Sequence, residues 1–231
     1  NVKKIGEKAF EKCKSYKKLS FGQIENVDSF LFKDYGLFSE VKLDKCLFVS
    51  SRAFESCQYL EEIKLKVCKS IESCAFKNCV NLKKIHLPNL KEMNGEAFQN
   101  TSLVKIELDR LDLVYGNNIF SGCSKLTHVS LRNLYKITHS MFRSCNHLIY
   151  VDIPEARIIE ESSFEGCSSL NNITFPNIYK IEKYSFAKCD SITQLNIPSV
   201  CEIGEMAFYG CKNLFNVDLK NCSVIDSYAF Y

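Results

Sequence analysis

Residues 76–98 read FKNCVNLKKIHLPNLKEMNGEAF and contain one complete unit of a repeat that runs along the whole chain. The unit begins at Phe76, and the next one begins 22 residues later at Phe98. The same spacing joins Phe10, Phe32, Phe54, Phe76, Phe98, Phe120, Phe142, Phe164, Phe186, Phe208 and Phe230. A fixed period between about 20 and 50 residues is typical of stacked supersecondary units. The sequence therefore predicts a repeat solenoid.

Each unit contains one strand pattern, in which two apolar residues flank a polar one nine to eleven positions after the phenylalanine. In the quoted unit these residues are Ile85, His86 and Leu87. Alternation of this kind is the signature of a half-buried strand. The pattern occurs in ten successive units, and strands one coil apart pair in parallel. We therefore predict a mainly β solenoid of about ten 22-residue coils, with one long parallel sheet whose polar face is open to solvent.

The segments around each phenylalanine predict turns rather than lasting helices. Stretches such as 73–79 and 204–211 are too short for a stable helix, so we predict only short helical or 3₁₀ turns there. In the unit after Phe98 the strand residues arrive one position early, and an extra residue within 114–118 restores the register at Phe120. We expect this bulge to swell one corner of the coil without breaking the stack.

The repeat also has a recognisable consensus, L-x-x-I-x-L-P-x-L-x-x-I-x-x-x-A-F-x-x-C. Its fullest version runs from Ile192 through Pro198 and Phe208 to Cys211. This pattern resembles the BspA-like class of leucine-rich repeats, and the resemblance covers essentially all of the chain. It implies a scaffold of the kind found in surface and secreted proteins of bacteria and parasitic protozoa, several of them associated with adhesion. It implies no shared catalytic residue.

The unbroken period predicts a single elongated domain over residues 1–231. Repeat arrays normally carry atypical polar ends, whereas this sequence starts and stops inside a unit, so we expect a piece of a longer protein.

No apolar run approaches the ~20 residues of a membrane helix, and no signal-peptide pattern is present. The net charge of +3 is unremarkable. Lysines crowd the first coil, which suits either an acidic partner or a solvated face: Lys3, Lys4, Lys8, Lys12, Lys14, Lys17 and Lys18.

The thirteen cysteines raise the question of a disulfide framework. Most of them share one inward position of the repeat: Cys13, Cys57, Cys79, Cys123, Cys145, Cys167, Cys189 and Cys211, with Tyr35 and Thr101 as the exceptions. Equivalent side chains on adjacent coils point the same way, which keeps their Cβ atoms ~5 Å apart rather than the ~3.8 Å of a bridge. We predict a ladder of buried free thiols that pack as small hydrophobes.

No motif in the sequence predicts catalysis, a metal or a cofactor. The histidines lack metal-ligand spacing: His86, His128, His139 and His147. Cys145 and His147 are conceivable as a nucleophilic pair, but Cys145 occupies the repeated core position. The glycines are scattered and form no phosphate-binding loop. We therefore predict that the chain is not an enzyme and binds no cofactor.

The exposed sheet face is the remaining candidate for function. Side chains eight and ten positions after each phenylalanine share this face, and they change along the chain from mixed, lysine-rich charge to amides and acids. The candidate partner-binding residues are Lys42, Lys64, His86, His128, Tyr150, Asp152, Asn172, Thr174, Gln194 and Asn196. Such a gradient favours a binding surface, although drift among solvent-facing residues also produces one.

These observations favour a non-enzymatic binding module of a cell-surface or secreted adhesion-type protein, which holds a protein or glycan on its sheet face. We expect no nucleic-acid partner and no membrane insertion within this segment. The alternative is a cytoplasmic protein-interaction scaffold, since free thiols suit a reducing compartment. An enzymatic function would require a catalytic domain outside this sequence.

Overall fold

The computed structural model describes residues 2–6, 9–10, 16–34 and 37–231. The predicted solenoid is confirmed: over these residues the chain makes about nine turns, and equivalent residues of adjacent coils, such as Lys18 and Glu40, pair 22 positions apart. Each coil contributes two short strands to two different sides of the solenoid.

The first series of strands contains the polar alternation seen in the sequence, and its solvent-facing side is called the first face. Its members are β1 (Lys18–Phe21), β3 (Glu40–Leu43), β5 (Glu62–Lys64), β7 (Lys84–His86), β9 (Lys105–Glu107), β11 (His128–Ser130), β13 (Tyr150–Asp152), β15 (Asn172–Thr174), β17 (Gln194–Asn196) and β19 (Asn216–Val217).

The second series, which forms the second face, was not predicted. Its members are β2 (Asn26–Val27), β4 (Phe48–Val49), β6 (Ser70–Ile71), β8 (Glu92–Asn94), β10 (Leu113–Tyr115), β12 (Lys136–Ile137), β14 (Ile158–Ile159), β16 (Lys180–Ile181), β18 (Glu202–Ile203) and β20 (Val224–Ile225). Two- and three-residue strands are too short to leave a periodic signal. They form two parallel sheets, one of β2, β4, β6, β8 and β10 and one of β12, β14, β16, β18 and β20.

The strands of the first face are parallel, as predicted, but they do not form one continuous sheet. The strands form three parallel sheets: sheet 1 (β1, β3, β5 and β7), sheet 2 (β9, β11 and β13) and sheet 3 (β15, β17 and β19). The interruption between sheets 1 and 2 falls at the unit that lacks a residue, where Lys105 follows Lys84 after only 21 positions. In sheet 1 the Leu65 amide donates to the His86 carbonyl, but no hydrogen bond from the Leu87 amide is found among the described residues.

The repeated phenylalanines form one continuous aromatic column inside the solenoid. From Phe32 to Phe230 neighbouring ring centroids lie 4.9–5.6 Å apart, with planes within 16° of parallel. The rings from Phe32 to Phe208 are fully buried. The column continues across the irregular unit, where Phe98 and Phe120 lie 5.6 Å apart. The irregular unit therefore interrupts the first face between β7 and β9 without breaking the aromatic stack. Gly116, with φ of 86°, lies in the bulge of this unit.

Hydrogen-bonded turns take the place of the predicted helical turns, and no helix is present in the described part of the chain. Two positions before and two after a column phenylalanine, the backbone adopts positive φ; around Phe76 these residues are Cys74 (58°) and Asn78 (60°). A left-handed residue on each side prevents a right-handed helix from propagating. Glycine occupies the second of these positions at Gly122, Gly166 and Gly210, but most coils place other residues there.

The inward cysteines form the predicted ladder and also make hydrogen bonds. Each described thiol of the ladder donates from Sγ to the carbonyl of the column phenylalanine one coil earlier, at 3.0–3.2 Å. Burial raises the pKa of Cys123 to about 11 and that of Cys211 to about 12. The free-thiol prediction is confirmed for Cys46, Cys68, Cys74, Cys79, Cys123, Cys145, Cys167, Cys189, Cys201, Cys211 and Cys222.

The irregular ladder positions have different outcomes. Thr101 is buried, and its hydroxyl oxygen lies 3.2 Å from the Cys123 sulfur, so it continues the polar contacts of the ladder. Cys13 and Tyr35 lie outside the described residues. The same is true of the first-coil lysines Lys8, Lys12 and Lys14.

Candidate interaction surface

Sheet 1 carries charged side chains, and most of them are paired with one another. The Lys18 ammonium lies 2.8 Å from the Glu40 carboxylate, and the hydrogen bond between them lowers the pKa of Glu40. Lys42 approaches Glu40 at 3.7 Å, while Lys64 pairs with Glu62 of its own strand at 3.2 Å. Exposed pairs of this kind contribute little to stability, so they leave the charges available to a partner.

His86 continues the row of Lys42 and Lys64 by strand register and is exposed. Beside it, the interruption between sheets 1 and 2 opens a cleft of about 470 Å³. The cleft is lined by Ile85, His86, Leu87, Pro88, Lys105, Glu107, Asp109 and Arg110.

Sheet 2 combines aromatic rings with a charged margin. The rings of His128 and Tyr150 lie on adjacent strands, 6.0 Å apart, and Tyr150 is 51% exposed. Asp152 accepts a 2.8 Å hydrogen bond from Nε of Arg132, and this hydrogen bond raises the pKa of Arg132. Val104 directly precedes β9 and Ile149 directly precedes β13. Both side chains are exposed and add apolar area. Sheet 2 therefore presents aromatic and aliphatic groups with ion-paired residues at the edge.

Sheet 3 presents uncharged polar groups. Thr174, Gln194, Asn196 and Asn216 are exposed, and none of these side chains makes a hydrogen bond to another described residue. Strand register places Gln194 beside Asn172 on one side and Asn216 on the other. The side chains of Gln194 and Asn216 are thus presented to solvent on successive coils.

The structure places all ten predicted partner-binding residues on strands of the first face, and divides them among the three sheets. Register aligns the Lys42, Lys64 and His86 positions in sheet 1. His128, Tyr150 and Asp152 share sheet 2, while Asn172, Thr174, Gln194 and Asn196 share sheet 3. The sheet interruptions separate these groups.

Sequence reasoning missed the exposed apolar residues that immediately precede an outward strand residue. Ile149 precedes Tyr150, and Phe215, which is 79% exposed, precedes Asn216. The available signal was an apolar residue at position seven of the repeat, where most units place a polar one.

The conceivable pair of Cys145 and His147 is not formed. The Cys145 sulfur is buried and donates to the Phe120 carbonyl, and burial raises the pKa of its thiol well above the ordinary value of 9.0. The exposed His147 ring instead places Nδ1 2.7 Å from the Ser124 carbonyl. Within the described ranges, no group of three or more histidine, cysteine or acidic residues could hold a metal ion. Nor does any helix there have the length and apolarity needed to cross a bilayer.

Comparison with protein families agrees with this architecture. The BspA type leucine-rich repeat region matches the chain in six copies, over residues 1–68, 48–158 and 136–231. These overlapping matches span the whole sequence, and the chain therefore belongs to the BspA type leucine-rich repeat family. No curated protein matches the chain in sequence.

Solved structures with the same fold include a leucine-rich repeat protein from Bacteroides ovatus. It is 18% identical, with a TM-score of 0.56 over 90% of this chain and 82% of that one. A leucine-rich repeat protein from T. pallidum is 21% identical, with a TM-score of 0.51 over 77% and 78% of the two chains. A chain of the Drosophila Toll–Spätzle complex is 16% identical, with a TM-score of 0.52 over 95% of this chain and 29% of that one. At these identities the likeness is one of fold.

Proposed function

We propose that the chain is a non-enzymatic binding module of a cell-surface or secreted adhesion-type protein, and that it holds a protein or glycan partner on the first face. The observation that carries this proposal is the exposed Tyr150 ring beside His128 in the central sheet of that face. Tyrosine offers a large contact area at low entropic cost and is enriched among the residues that dominate binding energy.

The surroundings of Tyr150 have the organisation of an interface. Exposed Ile149 directly precedes Tyr150, exposed Val104 adds apolar area before β9 of the same sheet, and the ion pair of Arg132 and Asp152 lies at the end of β13. Protein interfaces typically have an apolar, aromatic centre and a polar rim. The family is defined by its scaffold, and a solenoid of the same fold occurs in the Toll–Spätzle complex, which supports a role in holding a partner.

A second candidate is an intracellular interaction scaffold. It is favoured by the free thiols, since a reducing compartment keeps cysteines unpaired. The buried ladder weakens this argument, because raised pKa values and burial protect thiols such as Cys145 from oxidation in any compartment.

A pair of tyrosine substitutions tests the use of the first face. Tyr135 is 58% exposed and directly precedes β12 of the second face, so Tyr135→Ala is a matched control for Tyr150→Ala. We expect Tyr150→Ala to weaken binding of the purified chain to immobilised extracellular-matrix proteins or cultured cells by roughly tenfold or more, as for an interface anchor. Tyr135→Ala should bind as the unmodified chain does. Loss of binding in the Tyr135 variant with retention in the Tyr150 variant would place the partner on the other face.

A further inference from the structure

One group of amide side chains in this solenoid has a structural task. On the turns between strands, each of a set of asparagines donates from Nδ2 to a main-chain carbonyl of the preceding coil, at 2.7–2.9 Å. The set is Asn81, Asn89, Asn133, Asn177, Asn213 and Asn221. These amides stabilise the stack, and their presence follows from the fold.

The amides of sheet 3 have no comparable structural task. Gln194, Asn196 and Asn216 are exposed and make no side-chain hydrogen bond to another described residue. Thr174 is also exposed, and strand register places it beside Asn196. Each amide offers two donors and an acceptor, repeated at the ~4.8 Å spacing of paired strands. The stack therefore presents a regular array of hydrogen-bonding groups that the fold itself does not use.

The absence of unpaired charge restricts what this array can recognise. The alternating positions of β15, β17 and β19 hold only asparagine, glutamine and threonine, and Asp218, which lies 22 residues after Asn196, is paired with Lys220 at 3.0 Å. The corresponding positions of sheet 1 include Lys42 and Lys64. An ionic ligand that bound to sheet 3 would lose its hydration without meeting an unpaired opposite charge. The surface therefore favours an uncharged ligand with many hydrogen-bonding groups.

Phe215 adds an apolar platform at the margin of the same array. It directly precedes Asn216, is 79% exposed, and its amide donates to the Thr193 carbonyl of the preceding coil at 3.1 Å. A sugar ring has C–H faces that pack on an aromatic ring and hydroxyl groups that both donate and accept. A protein partner would seek aromatic and aliphatic contacts at the centre, which the amides and hydroxyls of sheet 3 do not offer.

We propose that sheet 3 and Phe215 form a binding site for an uncharged, hydroxyl-rich glycan that runs across the coils. The inference rests on the proposed function and narrows its partner class at this part of the first face. The amides hydrogen-bond the sugar hydroxyls, while Phe215 packs against a ring.

An array of immobilised oligosaccharides tests this inference, with neutral hexose and N-acetylhexosamine chains beside sulfated and sialylated ones. The site variant combines Gln194→Ala, Asn196→Ala and Asn216→Ala. The matched control combines Asn26→Ala, Gln58→Ala and Asn117→Ala, three exposed amides outside sheet 3. A separate lysine variant combines Lys42→Ala, Lys64→Ala and His86→Ala in sheet 1. We expect the unmodified chain to bind neutral glycans, the site variant to lose roughly tenfold or more in affinity, and the control to bind normally.

A separate Phe215→Ala variant should weaken neutral-glycan binding by roughly tenfold. Because this side chain is exposed, the result remains informative if the triple variant folds poorly in circular dichroism.

Three results would overturn the inference. The first is that the unmodified chain binds no neutral glycan at millimolar concentration. The second is that neutral-glycan binding survives both the triple substitution and Phe215→Ala. The third is that the chain binds only acidic glycans and loses this binding in the lysine variant. Failure here is distinguishable from failure of the proposed function. Partner binding that depends on Tyr150 would still support a first-face module if no glycan bound sheet 3.

Discussion

The phenylalanine column and the first face belong to the same coils but follow opposite rules. Inside, one residue type recurs at a single position, and the rings from Phe32 to Phe208 are fully buried in one stack. Outside, charged, aromatic and amide side chains follow one another in sheets 1, 2 and 3. A stack requires that each coil match its neighbours where they pack, and it places no such requirement on groups that face water. Partner recognition is therefore expected where the repeat varies.

The largest effect should come from breaking the column. Phe142 packs between Phe120 and Phe164, at 5.6 and 5.3 Å. Replacing it with alanine should lower the free energy of unfolding by about 3–5 kcal/mol, because a buried aromatic truncation leaves a cavity. Denaturant unfolding measures this change. On the first face, Tyr150→Ala should alter stability by less than about 0.5 kcal/mol. If Phe142→Ala and Tyr150→Ala lowered the free energy of unfolding by similar amounts, the proposed difference between the buried column and the first face would be wrong.

A smaller effect should appear when pH rises, through the thiols of the interior. Burial raises the pKa of Cys123 from 9.0 to about 11, so the unfolded chain releases its proton at lower pH than the folded chain does. Its stabilising contribution is complete below about pH 9 and is lost as pH rises toward 11. This thiol alone should reduce stability by about 1.4 kcal/mol per pH unit within that window.

Comparison with Cys123→Ala isolates this contribution. Unfolding free energies should be measured from pH 8 to pH 10.5 for both chains, so that the surface groups and the more distant thiols are common to the two titrations. The variant is expected to start from a lower stability and to lose less of it with rising pH. Equal slopes for the two chains would indicate that Cys123 is not protected by burial.

The smallest effect should come from the turns that join the interior to the faces. Lys188 is exposed and holds a φ of 61°, a conformation that costs a residue with a side chain about 1–2 kcal/mol. Glycine removes this cost but adds entropy to the unfolded chain, so Lys188→Gly should stabilise the protein by about 0.5–1 kcal/mol in thermal or denaturant unfolding. Lys125→Gly is the control, because Lys125 is exposed without positive φ, and this variant should lose about 0.4–1 kcal/mol. A destabilised Lys188 variant would contradict this account of the turn.

The residues that sequence reasoning placed correctly are those with a local and repeated signal. Ile85 and Leu87 flank His86, and this alternation identified the outward side of every first-face strand. The cysteine ladder followed from the same period, although the hydrogen bonds of its thiols to the column carbonyls did not. Phe215 was missed because position seven lies outside the strand alternation, where a single apolar residue among mostly polar ones is a weak signal.

The sequence alone determined the solenoid, its aromatic column and the residues that face solvent, because period and alternation are properties of neighbouring positions in the chain. Only the tertiary structure decided that the first face is divided into three sheets and that a second series of strands exists. Strand pairing depends on how each whole coil lies against the next. The loss of one residue before Ile106 can therefore separate β7 from β9 while Phe98 and Phe120 remain stacked. The left-handed turns were also hidden, because residues as different as Cys74, Asn78 and Lys188 adopt them under the constraint of the stack.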